Sequence, residues 1–190
     1  LGRRHIEGLL TSQKNLKIFA YDKDNGELEN WYAEFSKRET NQDKEIFLIK
    51  NIEVLKSKSL QLVIVATSAT NRPELLIECF NNLKSKYWLI EKPISQSISG
   101  LDDLFTAAKL RKCWVNHWRR SIAMYKDLKL VLSMSETLKL TVSGPNIGLA
   151  CNISHYVDIV HFLTNETPSH VDGSKLSANW HMAKRKGFFE

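Results

Sequence analysis

Cysteine is scarce in these 190 residues: Cys79, Cys113 and Cys151 are odd in number, lie far apart and form no C-x-x-C pair. Such a set excludes a disulfide framework and argues against zinc, so reduced thiols in a cytoplasm and no bound metal are expected. Long apolar runs are missing too. Nothing approaches the ~20 residues that a membrane-spanning helix needs, and no secretory leader is visible, so no membrane partner is expected. Acidic residues fall short of basic ones, 21 against 27, leaving a net charge of +6. The basic residues are scattered, with local groups only at Lys56-Ser57-Lys58, Arg119-Arg120 and Lys184-Arg185-Lys186. No aromatic-interleaved basic stripe or recognition-helix pattern accompanies them. Nucleic acid is therefore not an expected partner, and the charge reads as a solvated surface that steers an anionic substrate.

What is present belongs to a globular chain of one or two domains, 43% hydrophobic and 25% charged. Strand and helix patterns alternate. Ile6, Leu9 and Leu10 mark an apolar-periodic segment, followed by a strand at Leu16–Tyr21 that ends on Asp22. A polar helix carries Trp31, Tyr32 and Phe35; Ile46–Ile49 is a short strand, and Ile52–Leu55 begins a brief helix. Leu62–Ala66 is β-branched and continuously apolar, as expected of a strand buried on both faces. After the small-residue loop Thr67-Ser68-Ala69-Thr70-Asn71, Pro73 and Glu74 start a helix, with proline in its first turn. A strand at Tyr87–Ile90 follows, then a helix through Leu101, Leu104, Phe105 and Leu110, and a strand at Cys113–Val115. This βαβα order predicts a parallel, doubly wound α/β sheet with right-handed crossovers.

Ligands of such sheets sit beyond the carboxyl ends of the strands. Three loops then share one edge: Asp22, Thr67–Asn71 and Glu91-Lys92-Pro93. Lys92, followed by a residue of fixed φ and no amide proton, is well placed to meet a substrate, although Glu-Lys-Pro alone is a common surface tripeptide. Gly2 precedes Asp22 by 20 residues, the interval between a dinucleotide-binding turn and the acid that holds the adenosine ribose.

The rhythm changes in the second half. Residues 121–132 look helical, Leu138–Val142 alternates as a strand, and Ser143-Gly144-Pro145-Asn146 is a loop. A helix follows with Ile153, Val157, Val160 and Leu163, on which His155 and Asp158 share a face. Lys175–Trp180 alternates like an antiparallel strand, and Gly187–Glu190 reads as the entry to another.

In combination these pieces resemble the glucose–fructose oxidoreductase / inositol dehydrogenase / rhizopine-catabolism (Gfo/Idh/MocA) family of nicotinamide-dependent sugar oxidoreductases. The matching residues are Gly2-Arg3-Arg4-His5, Tyr21-Asp22, Val65-Ala66-Thr67, Glu91-Lys92-Pro93, Asn116, Arg119 and His155-x-x-Asp158. The resemblance implies a Rossmann domain over 1–117 and part of an α+β domain over 118–190, with an open, mainly antiparallel sheet that forms a homo-oligomer interface. It also implies that the first strand and most of the second sheet lie outside this sequence. The implied cofactor is NAD or NADP, contacted by Gly2, Arg3, Asp22, Thr67, Ser68, Asn71, Glu91 and Lys92. Asp22 favours NAD by repelling a 2′-phosphate, and the neighbouring Lys23 weakens that preference. The implied reaction is hydride transfer from a hydroxyl-bearing carbon of a carbohydrate-like substrate. Lys92 would hydrogen-bond the oxygen and His155 would accept its proton, with Asn116, Arg119, Asn152 and Asp158 binding substrate.

One departure stands out. Many members of that family carry an aspartate four residues before the helix histidine, where this chain has Cys151 followed by Asn152. A thiol does not replace a carboxylate as acceptor or charge partner, so a non-catalytic binding protein of the same fold is the alternative expectation.

Overall fold

Polar residues at the helix starts and apolar runs between them set the architecture. A computed structural model describes residues 2–37, 45–132, 137–144 and 147–176. The chain divides into two compact units, Leu1–Asn116 and His117–Glu190. In the first, helix α1 (Gly2–Leu10) leads to strand β1 (Lys17–Ala20), α2 (Asn25–Ser36) and β2 (Glu45–Leu48). Strand β3 (Ser59–Val65), α3 (Arg72–Asn82), β4 (Lys84–Ile90), α4 (Leu101–Ala108) and β5 (Cys113–Val115) follow. Among the described residues all the strand pairs are parallel: β1 with β2 in one sheet, and β3-β4-β5 in the other. This is the Rossmann-like α/β arrangement that the alternating pattern implies.

Local chemistry explains the helix starts. Asp24 caps α2 by accepting the Glu27 amide at 3.0 Å, which satisfies one of the unpaired first-turn donors. Before α3, Asn71 takes a left-handed conformation, φ 54°, which asparagine tolerates better than most residues. Pro73 and Glu74 then occupy its first turn, where proline forfeits no helical bond and an acid meets the positive end of the dipole.

The core of this unit gathers on β4. Trp88 and Ile90 are buried there with Leu76, Cys79 and Phe80 of α3, Val65 of β3 and Leu104 of α4. The Trp88 and Phe80 rings meet edge to face at 4.7 Å. Burial pushes the Cys79 thiol up to about 11, helped by the charge of Glu78, so this cysteine is packing and not a nucleophile. Strand β4 begins earlier than its apolar run suggests, because Lys84 and Ser85 pair with Ser59 and Leu60 through backbone bonds that need no apolar side chain.

Two expectations are corrected. Strand β3 is not buried on both faces: Leu62 is 41% exposed. Among the described residues only β4 pairs with β3, so the strand that enjoys neighbours on both sides is β4. The strand expected at Leu138–Val142 is absent, and Leu140 and Val142 are exposed. An alternating pattern supplies one apolar face, but a strand also needs a partner edge for its backbone groups.

The second unit contains α5 (Ala123–Leu132) and α6 (Leu149–Thr164), preceded by a 3-10 turn at Trp118–Ser121. Gly148, at φ 64°, turns the chain into α6, and Asn165, at φ 59°, ends it. Pro145, Asn146, the strand expectation from Ser177 to Trp180, the cluster Lys184-Arg185-Lys186 and the Gly187–Glu190 segment lie outside the described residues. Among the described residues, no helix is long and apolar enough to cross a membrane.

Candidate functional site

Parallel ladders carry chemistry to one end of the three-stranded sheet. The Glu91 amide donates to Val65 O at 2.9 Å and the Asn116 amide to Ile90 O at 2.7 Å, extending the pairing just past the strand ends. Glu91 is thereby fixed beside the end of β3, and Asn116 beside the end of β4. Glu91 is a carboxylate with only 4% exposure, which demands partners. It has them: Asn116 Nδ2 donates to Oε1 at 2.7 Å, and His5 Nε2 lies 2.8 Å from the same oxygen.

Burial pushes the Glu91 carboxyl upward, but the hydrogen bonds from His5 and Asn116, the His5 charge and the Lys92 amide outweigh it and bring the value down to about 2. At neutral pH the carboxylate can only accept, so His5 presents Nε2–H to it. A group depressed from 4.5 to about 2 contributes stability that is complete above the ordinary value and lost as the pH falls through the folded one. Glu91→Gln is therefore expected to destabilise the protein by on the order of 2 kcal/mol at pH 7. The difference from wild type should shrink toward zero between pH 4.5 and about 2. Urea titrations of both proteins across that range check it.

Arg72 was not visible in the sequence as a site residue. It opens α3, is 2% exposed, and donates from Nη1 to Glu91 O at 2.6 Å and to Pro93 O, and from Nη2 to Thr67 O. One signal existed. A cation at a helix N-terminus opposes the macrodipole, and such a local conflict points to a tertiary reason.

Between these anchored carbonyls stands Lys92, half-buried and joined to Pro93 by a cis peptide. Thr67, Ser68 and Asn71 are exposed, while Ala69 between them is buried. Asp22 is exposed after β1, with Oδ1 accepting the Asp24 amide at 3.0 Å. Arg3 pairs with Glu27 of α2 at 2.7 Å on the surface. At Gly2 a Cβ would lie 3.9 Å from Ala66 Cβ, so the start of α1 packs against the end of β3. A helix N-terminus, an exposed aspartate and a small-residue loop are the donor and acceptor set that a dinucleotide requires, and the residues present fit one.

In the second unit His155 is 5% exposed on α6. Its ring meets His117 edge to face at 5.4 Å and Trp118 at 6.5 Å. Both Asp158 oxygens are taken by Arg120, with Nε at 3.0 Å from Oδ2. The Arg119 guanidinium lies over the Tyr156 ring at 4.7 Å, and the Asn152 amide donates to Ile147 O at 2.8 Å. Asp158, Arg119 and Asn152 thus all have protein partners, and Cys151 is half-buried on the first turn of α6.

A separate concavity of about 530 Å³ is bordered by Ser59, Lys84, Trp88 and Arg111. It lies at the amino ends of β3 and β4, away from the edge where open parallel sheets bind ligands. Among the described residues, no cluster of three or more His, Cys, Asp or Glu could hold a metal ion.

Residues 1–117 match the model of GFO_IDH_MocA, an oxidoreductase family with an NAD-binding Rossmann fold. No curated protein matches the chain. Among solved structures, the chain is similar to myo-inositol 2-dehydrogenase from Lactobacillus plantarum, with a TM-score of 0.63 and 17% identity over 88% of this chain and 54% of that one. It is also similar to a super-repressor mutant of Gal80p from Saccharomyces cerevisiae, with a TM-score of 0.57 and 15% identity over 85% of this chain and 48% of that one. At such identities the likeness is one of fold. The chain spans about half the length of these structures.

Proposed function

Because the chain belongs to the Gfo/Idh/MocA oxidoreductase family with its NAD-binding Rossmann fold, we propose that it is part of a dehydrogenase acting on a hydroxyl-bearing carbon of a carbohydrate-like molecule. The observation that carries this reading is the turn after β4. Its main chain is held by Arg72, and its carboxylate is locked by His5 and Asn116. Those contacts fix the backbone on both sides of Lys92, and so set its ammonium on a rigid strand end.

A nicotinamide nucleotide, when bound, supplies the hydride acceptor. The start of α1 would hold its pyrophosphate and Asp22 would accept from the adenosine ribose hydroxyls, with Thr67, Ser68 and Asn71 on the same edge. Lys92 donates a hydrogen bond to the substrate oxygen and stabilises the negative charge that grows there. His155 takes the hydroxyl proton as general base. Asn116, with its amide on Glu91, acts by fixing the turn more than by touching substrate. The same reading makes the protein a cytoplasmic homo-oligomer that associates through its second unit.

Asp22 governs cofactor choice in this proposal. Asp22→Ala is expected to weaken NADH binding and narrow the NADH-to-NADPH preference by about tenfold, or ~1.4 kcal/mol. Fluorescence titration of both nucleotides measures it. Turnover itself is tested by following nicotinamide absorbance with a panel of polyols, sugars and sugar acids.

A second reading is favoured by one observation: Cys151 stands where the family often has an aspartate, and the adjacent Asn152 is committed to Ile147 O. A protein that binds nucleotide without turning over would show saturable NADH fluorescence and no redox change with any compound in that panel.

A further inference from the structure

Arg72 is a buried guanidinium with no part in the chemistry assigned above. Its position on α3 offers the charge nothing, since the helix dipole there is already positive. Burial lowers its pKa, and the nearby Glu91 charge opposes that only in part. A buried charge persists where hydrogen bonds recover the lost hydration. Here the partners are backbone carbonyls from two different strand-end loops. Nη2 serves Thr67, which opens the loop after β3, while Nη1 serves Glu91 and Pro93, the residues on either side of Lys92. Among the described residues the buried Nε has no hydrogen-bond partner, so the attachment seen there runs through the two Nη groups. The planar fork of arginine suits this bridging of separate acceptors; a lysine ammonium is a compact point charge.

We propose that Arg72 is a positioning residue that locks the Lys92 turn to the Thr67–Asn71 loop, so that the two loops open and close as one unit. Its consequence for catalysis rests on the function proposed above; the mechanical coupling does not.

Arg72→Gln and Arg72→Lys, made in the full-length protein, separate the two. Hydrogen–deuterium exchange needs neither nucleotide nor substrate. In Arg72→Gln the amides of Thr67–Thr70 and of Glu91, Lys92, Ile94 and Ser95 should exchange about 10-fold faster together. Amides within β3 and the body of α3 should keep wild-type protection. Arg72→Lys, which keeps the charge, should show the smaller change. On turnover, kcat should fall by about 10-fold with nucleotide affinity altered less than about threefold, because the loss is of alignment. Loosening of one loop without the other, or a uniform rise in exchange across the unit, overturns the coupling. Unchanged kcat in a variant whose two loops have loosened overturns the catalytic consequence. Should no substrate turn over at all, the exchange result still decides whether Arg72 couples the loops.

Discussion

Lys92→Ala is expected to lower turnover by roughly 10³-fold while leaving nicotinamide nucleotide affinity within about threefold of wild type. The asymmetry follows from how the turn is built. Arg72 holds the main-chain oxygens of residues 91 and 93, the Glu91 amide bonds Val65 O of β3, and His5 and Asn116 hold the Glu91 side chain. These contacts remain when the Lys92 side chain is shortened, so the turn should stand in the variant. A donor aimed at a developing alkoxide acts on the transition state more than on the ground state, and its loss falls on kcat. Lys92→Arg keeps the charge but alters its reach and shape, and should recover only part of the rate. Steady-state kinetics with parallel NADH titrations measures both quantities. A loss of affinity with kcat unchanged would show that Lys92 serves binding alone.

Trp88→Ala should cost about 3–5 kcal/mol of folding stability, the range for removing a large aromatic from a packed core. Trp88 is 1% exposed, sits on the central strand with Val63 and Cys113 as its lateral neighbours, and packs edge to face on Phe80. Its ring fills the space between sheet and α3, and a shortened side chain leaves a void that rigid neighbours fill only partly. β4 ends two residues beyond it, so the variant should also loosen the Lys92 turn. Urea unfolding followed by far-UV circular dichroism measures the loss through a lower midpoint with unchanged slope. A cost below about 1 kcal/mol would mean that the core closes without this residue.

The sequence was most legible where one strand or helix carried its own signal. The apolar runs ending at Ala66 and Ile90, the proline at the start of α3 and the arrest at Glu91-Lys92-Pro93 located the strand-end loops. Partners distant along the chain were not legible. His5 reaches Glu91 across 86 positions, and no local pattern marks that pairing. Likewise the three-residue interval put His155 and Asp158 on one helix face, but Arg120, 38 positions upstream of Asp158, claims its carboxylate. Arg72 escaped because its three acceptors are backbone carbonyls, which leave no trace in side-chain identity. The Leu138–Val142 alternation misled for the opposite reason. Periodicity reports which face is apolar, while a strand also requires an adjacent edge.

The most direct measurement is a crystal structure of the full-length protein with NAD⁺ bound, read for the separation between Lys92 Nζ and the nicotinamide C4. A separation of about 3–5 Å, leaving room for a hydroxyl oxygen within hydrogen-bond reach of the ammonium, is the expected result. A nucleotide bound with its ring turned away from the β4 end, more than about 10 Å from Lys92 and beyond the reach of any bridging water, would contradict the proposed chemistry.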